Sequence, residues 1–101
     1  MKYSKKEMIH IGLLLKSVDD FERKTYVNNI PDAKNKDRVY VQVRGGATVN
    51  KQRTWFSKYV GKKDHYTPED LAKATKAIKD RYRNHVNSEL AQYNCKIEDF
   101  I

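Results

Sequence analysis

The chain reads as a small α+β domain of order α-β-β-(β)-α, an antiparallel sheet packed against an N-terminal helix and a long C-terminal helix. Three observations lead there. Apolar residues recur at spacings of three and four near both ends of the chain. Between those segments the period switches to two, with β-branched residues on one side. Both periodic segments open on helix-capping residues. At 101 residues the chain fits one domain over 1–101, and a domain of that size hides roughly two-thirds of the surface its unfolded chain exposes.

The first helix is expected over 4–24. Ser4 with Glu7 has capping-box spacing, and Met8, Ile11, Leu15, Val18 and Phe21 form a stripe. Ile9, Leu13 and Leu14 widen that stripe beyond what a surface helix needs, which makes Ile9 and Leu13 candidates for a partner contact, against the plainer reading that all of it packs on the sheet. Asn28 to Lys36 has the composition of a loop. A basic antiparallel sheet is expected over 38–60. Val39, Val41 and Val43 share one face of a strand, and Arg38, Tyr40, Gln42 and Arg44 share the other. Gly45-Gly46 reads as a tight hairpin turn, Ala47-Thr48-Val49 as the start of a return strand, and Asn50 to Gln52 as a second turn or a bulge. Arg53 to Val60 reads first as a strand, with Arg53, Trp55 and Ser57 on one face and Thr54, Phe56 and Lys58 on the other. Phe56, Tyr59 and Val60 also fit a helical stripe, so both assignments stay open. Thr67-Pro68-Glu69-Asp70 opens the second helix, expected over 68–93, with Leu71, Ala74, Ile78, Tyr82, Val86 and Leu90 as its apolar stripe. Ile97, Phe100 and Ile101 are expected to dock the tail on the body.

The composition narrows the function. Lys plus Arg is 21 against 13 for Asp plus Glu, a net charge of +8, and mean hydropathy is -0.91. The excess is not spread evenly. Residues 1–33 carry +1 and residues 64–101 carry -1. Lys34, Lys36, Arg38, Arg44, Lys51, Arg53, Lys58, Lys62 and Lys63 face a single acid, Asp37, in the segment between. The same segment holds Tyr40, Trp55, Phe56 and Tyr59, and basic groups interleaved with aromatics are what a polyanion-binding surface needs. No run of about 18 apolar residues is present to cross a membrane, and the segment Met8 to Leu15 lacks the features of a secretory leader. The lone Cys95 excludes a disulfide framework and fits a reducing, cytoplasmic setting.

Sequence motifs for chemistry are sparse. His10, His65 and His85 have no second His or Cys at metal-ligand spacing, and no phosphate loop, nucleophile elbow or dinucleotide fingerprint occurs. Pro31-Asp32 and Glu22-Arg23-Lys24 have the pieces of a metal-dependent nuclease motif in the wrong chain order. The reading is a protein without enzymatic activity, metal or cofactor.

The outward face of the sheet is the candidate site. Arg38, Tyr40, Gln42 and Arg44, with Arg53 and Trp55 beside them, offer the donors and aromatic surface that contact base edges. Lys51, Lys58, Lys62 and Lys63 would hold phosphates. Duplex DNA is favoured over RNA as the partner. Over Arg38 to His85, the pieces Val41-Gln42-Val43-Arg44, Arg53-Thr54-Trp55-Phe56 and Thr67-Pro68-Glu69-Asp70-Leu71-Ala72, followed by Ala74 and Ala77, resemble the three-stranded-sheet-plus-helix DNA-binding domains of plant ethylene-response factors and integrase arm-binding domains. The resemblance implies major-groove contact by Arg44, Arg53 and Trp55. It covers about half the chain, and the helix from Ser4 has no counterpart in it. Two other classes compete. One is a small inhibitor of the phage or mobile-element kind (anti-CRISPR-like), acting on a host nucleic-acid enzyme or nucleoprotein complex. The other is an RNA-associated protein that reads shape.

Overall fold

A computed structural model of the chain describes residues 3–35 and 37–100. Met1, Lys2, Lys36 and Ile101 lie outside the described residues, and with them one charge of the basic block and the end of the tail.

Both helices begin where their capping residues place them. Ser4 Oγ accepts the Glu7 N–H at 3.2 Å and the Glu7 carboxylate accepts the Ser4 N–H at 2.9 Å, which opens α1 (Lys5–Arg23). Thr67 and Asp70 exchange the same pair of bonds at 3.1 and 3.0 Å before α2 (Pro68–Leu90), with Pro68 in the first turn. The Thr67 N–H bond holds the Asp70 carboxyl below its usual range, so this contribution is present at neutral pH and fades as pH falls through the lowered value. Ile11, Leu14, Val18 and Phe21 are the buried face of α1; Ala74, Ile78, Tyr82, Val86 and Leu90 are that of α2. The chain from Ala91 to Tyr93 tightens into a 3-10 turn ended by Asn94 at φ 57°, so α2 stops short of residue 93. Ile97 then tucks back into the core, its N–H donating to Asn87 Oδ1 at 2.8 Å, while Phe100 stays exposed.

The sheet has three antiparallel strands in chain order: β1 (Tyr26–Pro31), β2 (Val39–Val49) and β3 (Gln52–Lys62). Two sequence expectations are overturned here. The loop expected from Asn28 begins only after Pro31, because Tyr26 to Pro31 pairs with Arg44 to Val39 as an edge strand. Gly45-Gly46 is not a turn; β2 runs straight through it, and neither glycine has positive φ. The hairpin turns instead at Asn50-Lys51, with φ of 50° and 68°, the left-handed pair that a two-residue hairpin loop needs. Arg53 to Val60 is strand throughout. A bulge at Val60 places Gly61 opposite Val41 and Tyr59 opposite Gln42.

The helices form a layer over β2 and β3, and β1 packs only along β2 to any extent. The centre of the core is aromatic. Phe21 of α1 stacks on Tyr82 of α2 with centroids 4.4 Å apart and planes 8° from parallel, and Phe56 of β3 meets both edge-on. Tyr82 reaches the buried Ser17, and burial pushes its hydroxyl above the ordinary phenol value. Phe21 comes this close because Gly45 has no side chain; a Cβ there would lie 2.9 Å from its ring.

Truncating Phe21→Ala removes the ring that joins both helices to the sheet, with an expected loss of about 3–5 kcal/mol in urea unfolding. Lys51→Gly relieves a left-handed L-residue and is expected to raise stability by about 1 kcal/mol, read by the same titration.

Candidate nucleic-acid interface

The buried valines determine which face is free. Val41 and Val43 are 1% and 2% exposed against the helices, so Tyr40, Gln42 and Arg44 stand on the opposite side of β2. Cross-strand register then adds β1 and β3. Tyr26, Asn28 and Ile30 lie opposite Arg44, Gln42 and Tyr40; Arg53, Trp55, Ser57, Tyr59 and Lys62 lie opposite Thr48, Gly46, Arg44, Gln42 and Tyr40.

At the centre of this face lies Trp55. A Cβ on Gly46 would fall 2.6 Å from its ring, so the indole rests directly on the glycine backbone. The Arg44 and Arg53 guanidinium carbons sit 4.5 and 4.1 Å from the Trp55 ring centroid. Such stacking is worth about 0.5–1 kcal/mol each at an exposed site, enough to orient the guanidiniums without consuming their donors. Arg53 Nη1 also donates to Thr48 Oγ1 at 3.1 Å. Among the described residues no carboxylate pairs with either arginine; Arg23–Asp19, Lys76–Asp80 and Arg83–Glu22 are all on the helices. Farther along β2, the rings of Tyr40 and Tyr59 meet edge to face at 5.9 Å, and Tyr40 Oη donates to Asp32 Oδ2 at 3.3 Å. The Lys34 N–H, above all, holds the Asp32 carboxyl below its usual range.

The remaining sequence candidates fall in three places. Lys51 is at the hairpin tip. Arg38, Lys62 and Lys63 line a cleft of about 300 Å³ at the other end, shared with Asp37, Asp64 and His65. Lys58 stands opposite buried Val43, on the face the alternation expects for it, so its side chain starts from the helix side of the sheet and apart from the other phosphate candidates on the Trp55 face. Ile9 and Leu13 are 55% and 38% exposed on α1, with Met8 beside them, so the helical stripe is wider than the core it covers. Sequence reasoning missed Tyr26, Asn28 and Ile30, whose strand carries no alternating charge to reveal it. Tyr59 was legible by carrying the Arg53-Trp55-Ser57 alternation one step further.

Other concavities have different character. One, about 650 Å³, is an open depression along α2 over Leu71, Thr75, Lys79 and Arg83. A smaller cleft holds His10, Tyr82, His85 and Glu89, and in a neighbouring one His10 Nδ1 and Tyr93 Oη are 2.5 Å apart. Among the described residues no three His, Cys, Asp or Glu side chains are grouped to hold a metal ion, and no helix is long and apolar enough to cross a membrane. No known protein family, curated protein or solved structure matches the chain.

Gly46→Ala places a methyl inside the space of the Trp55 ring. With Trp55 the sole tryptophan, the displacement is expected as a red-shifted emission and stronger acrylamide quenching, with the unfolding midpoint little changed.

Proposed function

We propose that the chain is a non-enzymatic nucleic-acid-binding protein that engages duplex DNA through the outer face of its sheet. The observation that carries this reading is the pair Arg44 and Arg53, both stacked on an exposed Trp55 and free of carboxylate partners among the described residues. Their donors are oriented for an acceptor outside the protein, and guanine O6 and N7 accept a guanidinium bidentately.

The dimensions agree. Three strands at roughly 4.8 Å spacing make a ribbon about 10 Å across, and the major groove of B-DNA is about 12 Å wide. Lys51 and Lys62 stand at the two ends of β3, about 36 Å apart at about 3.3 Å per residue, close to the ~34 Å turn of the duplex. They and Lys63 suit phosphate contacts at the two ends, while Arg44, Arg53, Trp55 and Gln42 address the bases between. An A-form RNA helix has a major groove too narrow for such a ribbon, which ranks DNA above RNA. The family resemblance of residues 38–85 implies the same use of Arg44, Arg53 and Trp55.

A second reading, a small inhibitor binding a host nucleic-acid enzyme, draws on one observation: the exposed apolar residues Met8, Ile9 and Leu13 on α1. Substitutions separate the two. On the DNA reading, the combined Arg44→Ala, Arg53→Ala, Trp55→Ala variant keeps its fold and loses at least about 100-fold in affinity, each good bidentate contact being worth about 1–3 kcal/mol. Ile9→Glu and Leu13→Glu leave DNA affinity unchanged, whereas an inhibitor acting through α1 loses its target with them. If Lys51, Lys62 and Lys63 neutralise about three phosphates, log affinity falls against log salt with a slope near -2.7. Absence of a duplex shift at low salt, or a flat salt dependence, overturns the reading.

A further inference from the structure

We propose that the free edge of β1 is a self-association site, through which two copies of this chain join their sheets into one antiparallel six-stranded sheet. β1 is one of the two edge strands of the sheet; α2 packs on the other, β3, but neither helix packs extensively on β1. Exposed strand edges are usually guarded by charge, a bulge or a covering element. Tyr26 to Pro31 has no charged residue and no bulge, and only its last position is a proline.

The hydrogen-bond pattern of that edge fits a second copy of the same strand. The Asp32 N–H donates to the Arg38 carbonyl at 2.9 Å, in the same register that pairs Ile30 with Tyr40, Asn28 with Gln42 and Tyr26 with Arg44. Bonded and non-bonded pairs alternate in an antiparallel ladder. Tyr26, Asn28 and Ile30 therefore direct their backbone groups to β2, and Val27, Asn29 and Pro31 direct theirs away from the sheet. Pro31 has no N–H, so the edge offers two donors and three acceptors.

This pattern is self-complementary about a two-fold axis at Asn28. There, Val27 of each copy exchanges both backbone bonds with Asn29 of the other, giving four hydrogen bonds. Tyr26, 45% exposed, comes to lie across from Ile30 of the second copy, 40% exposed, on the outer face, and the two-fold repeats the contact. No like charges meet along the strands. An isologous contact of this kind closes at two copies. Both outer faces point the same way, so the dimer presents two Arg44-Trp55-Arg53 clusters on a sheet about 24 Å across its six strands. The interface is one strand pair, well below the roughly 1,200 Å² of standard stable complexes, so the association is weak and concentration-dependent.

The test uses the free protein without nucleic acid, so its outcome is separate from that of the DNA reading. In a Cys95→Ser background, Asn28→Cys places two cysteines directly across the axis in a non-bonded pair, with Cα atoms about 4.5 Å apart, within disulfide reach. Asn29→Cys does not meet itself. Mild oxidation is expected to cross-link the Asn28→Cys chain at least about tenfold faster than the Asn29→Cys chain. Sedimentation of the unsubstituted chain should show a monomer–dimer equilibrium that Asn28→Lys abolishes and a mixture of Asn28→Lys and Asn28→Glu restores. Equal cross-linking rates overturn the proposal, as does a chain still monomeric at about 1 mM. So does a dimer indifferent to Asn28→Lys, which would place the contact elsewhere, for instance on the α1 stripe.

Discussion

Two adjacent glycines in the middle of a strand set the terms for the rest of this structure. Successive residues of a strand face opposite ways, so Gly45 opens the helix side of β2 and Gly46 opens the other. Phe21 descends on the first and Trp55 on the second, each within a distance that a Cβ would forbid. The glycines adopt no positive φ; what they supply is space. Glycine inside a strand weakens it, and here the loss is offset by an aromatic ring packed on each side. The inner ring completes the Phe21–Tyr82–Phe56 centre that ties α1, α2 and β3 together. The outer ring makes the platform on which Arg44 and Arg53 lie.

The two sides differ in energetic scale. An inner ring accounts for about 3–5 kcal/mol, a large share of the roughly 5–15 kcal/mol that holds a small domain folded. The outer stack accounts for about 0.5–1 kcal/mol per arginine. Residues on the outer face can therefore change with little effect on folding, while their geometry still depends on the backbone beneath. Charge follows the same division. The middle segment carries the whole excess, while acids and bases nearly balance in the segments containing the two helices. The helices consequently spend their charges on one another, as in Arg83–Glu22, and the sheet arginines remain free of such pairs among the described residues.

Legibility in the sequence followed the strength of local chemistry. Capping boxes are short-range and unambiguous, so both helix starts were readable from Ser4, Glu7, Thr67 and Asp70. The valine alternation gave the inner and outer faces of β2, and with them Tyr40, Gln42 and Arg44. Gly45-Gly46 misled because glycine pairs are turn signals on backbone grounds, whereas these are needed for distant rings, Phe21 being 24 positions away. The true turn sits at Asn50-Lys51, where a lysine occupies a left-handed position that glycine fills more comfortably. β1 was hidden because Asn28, Asn29 and Pro31 are turn formers by composition; pairing with β2 overrides that preference. Lys58 was grouped with the phosphate-holding lysines by charge, although the alternation already set it with Thr54 and Phe56 on the face away from Trp55, where its register against Val43 places it.

The contrast between β1 and its neighbours bears on how self-association and DNA binding would act together. Each copy carries +8, and bringing two such charges together is opposed by their repulsion, screened beyond about 10 Å at 0.1 M salt. An uncharged contact strand keeps the repulsion out of the interface itself but leaves the long-range part. A polyanion laid across both outer faces removes that part, because each phosphate contact neutralises a lysine or arginine and releases counterions. On the proposed reading, the duplex would thus do more than occupy the two faces: by linkage, it strengthens the strand pairing, and the strand pairing strengthens its binding by the same factor. Low salt would then disfavour the free dimer while favouring the complex, a sign difference that arises because the charge resides on β2 and β3 and not on the edge.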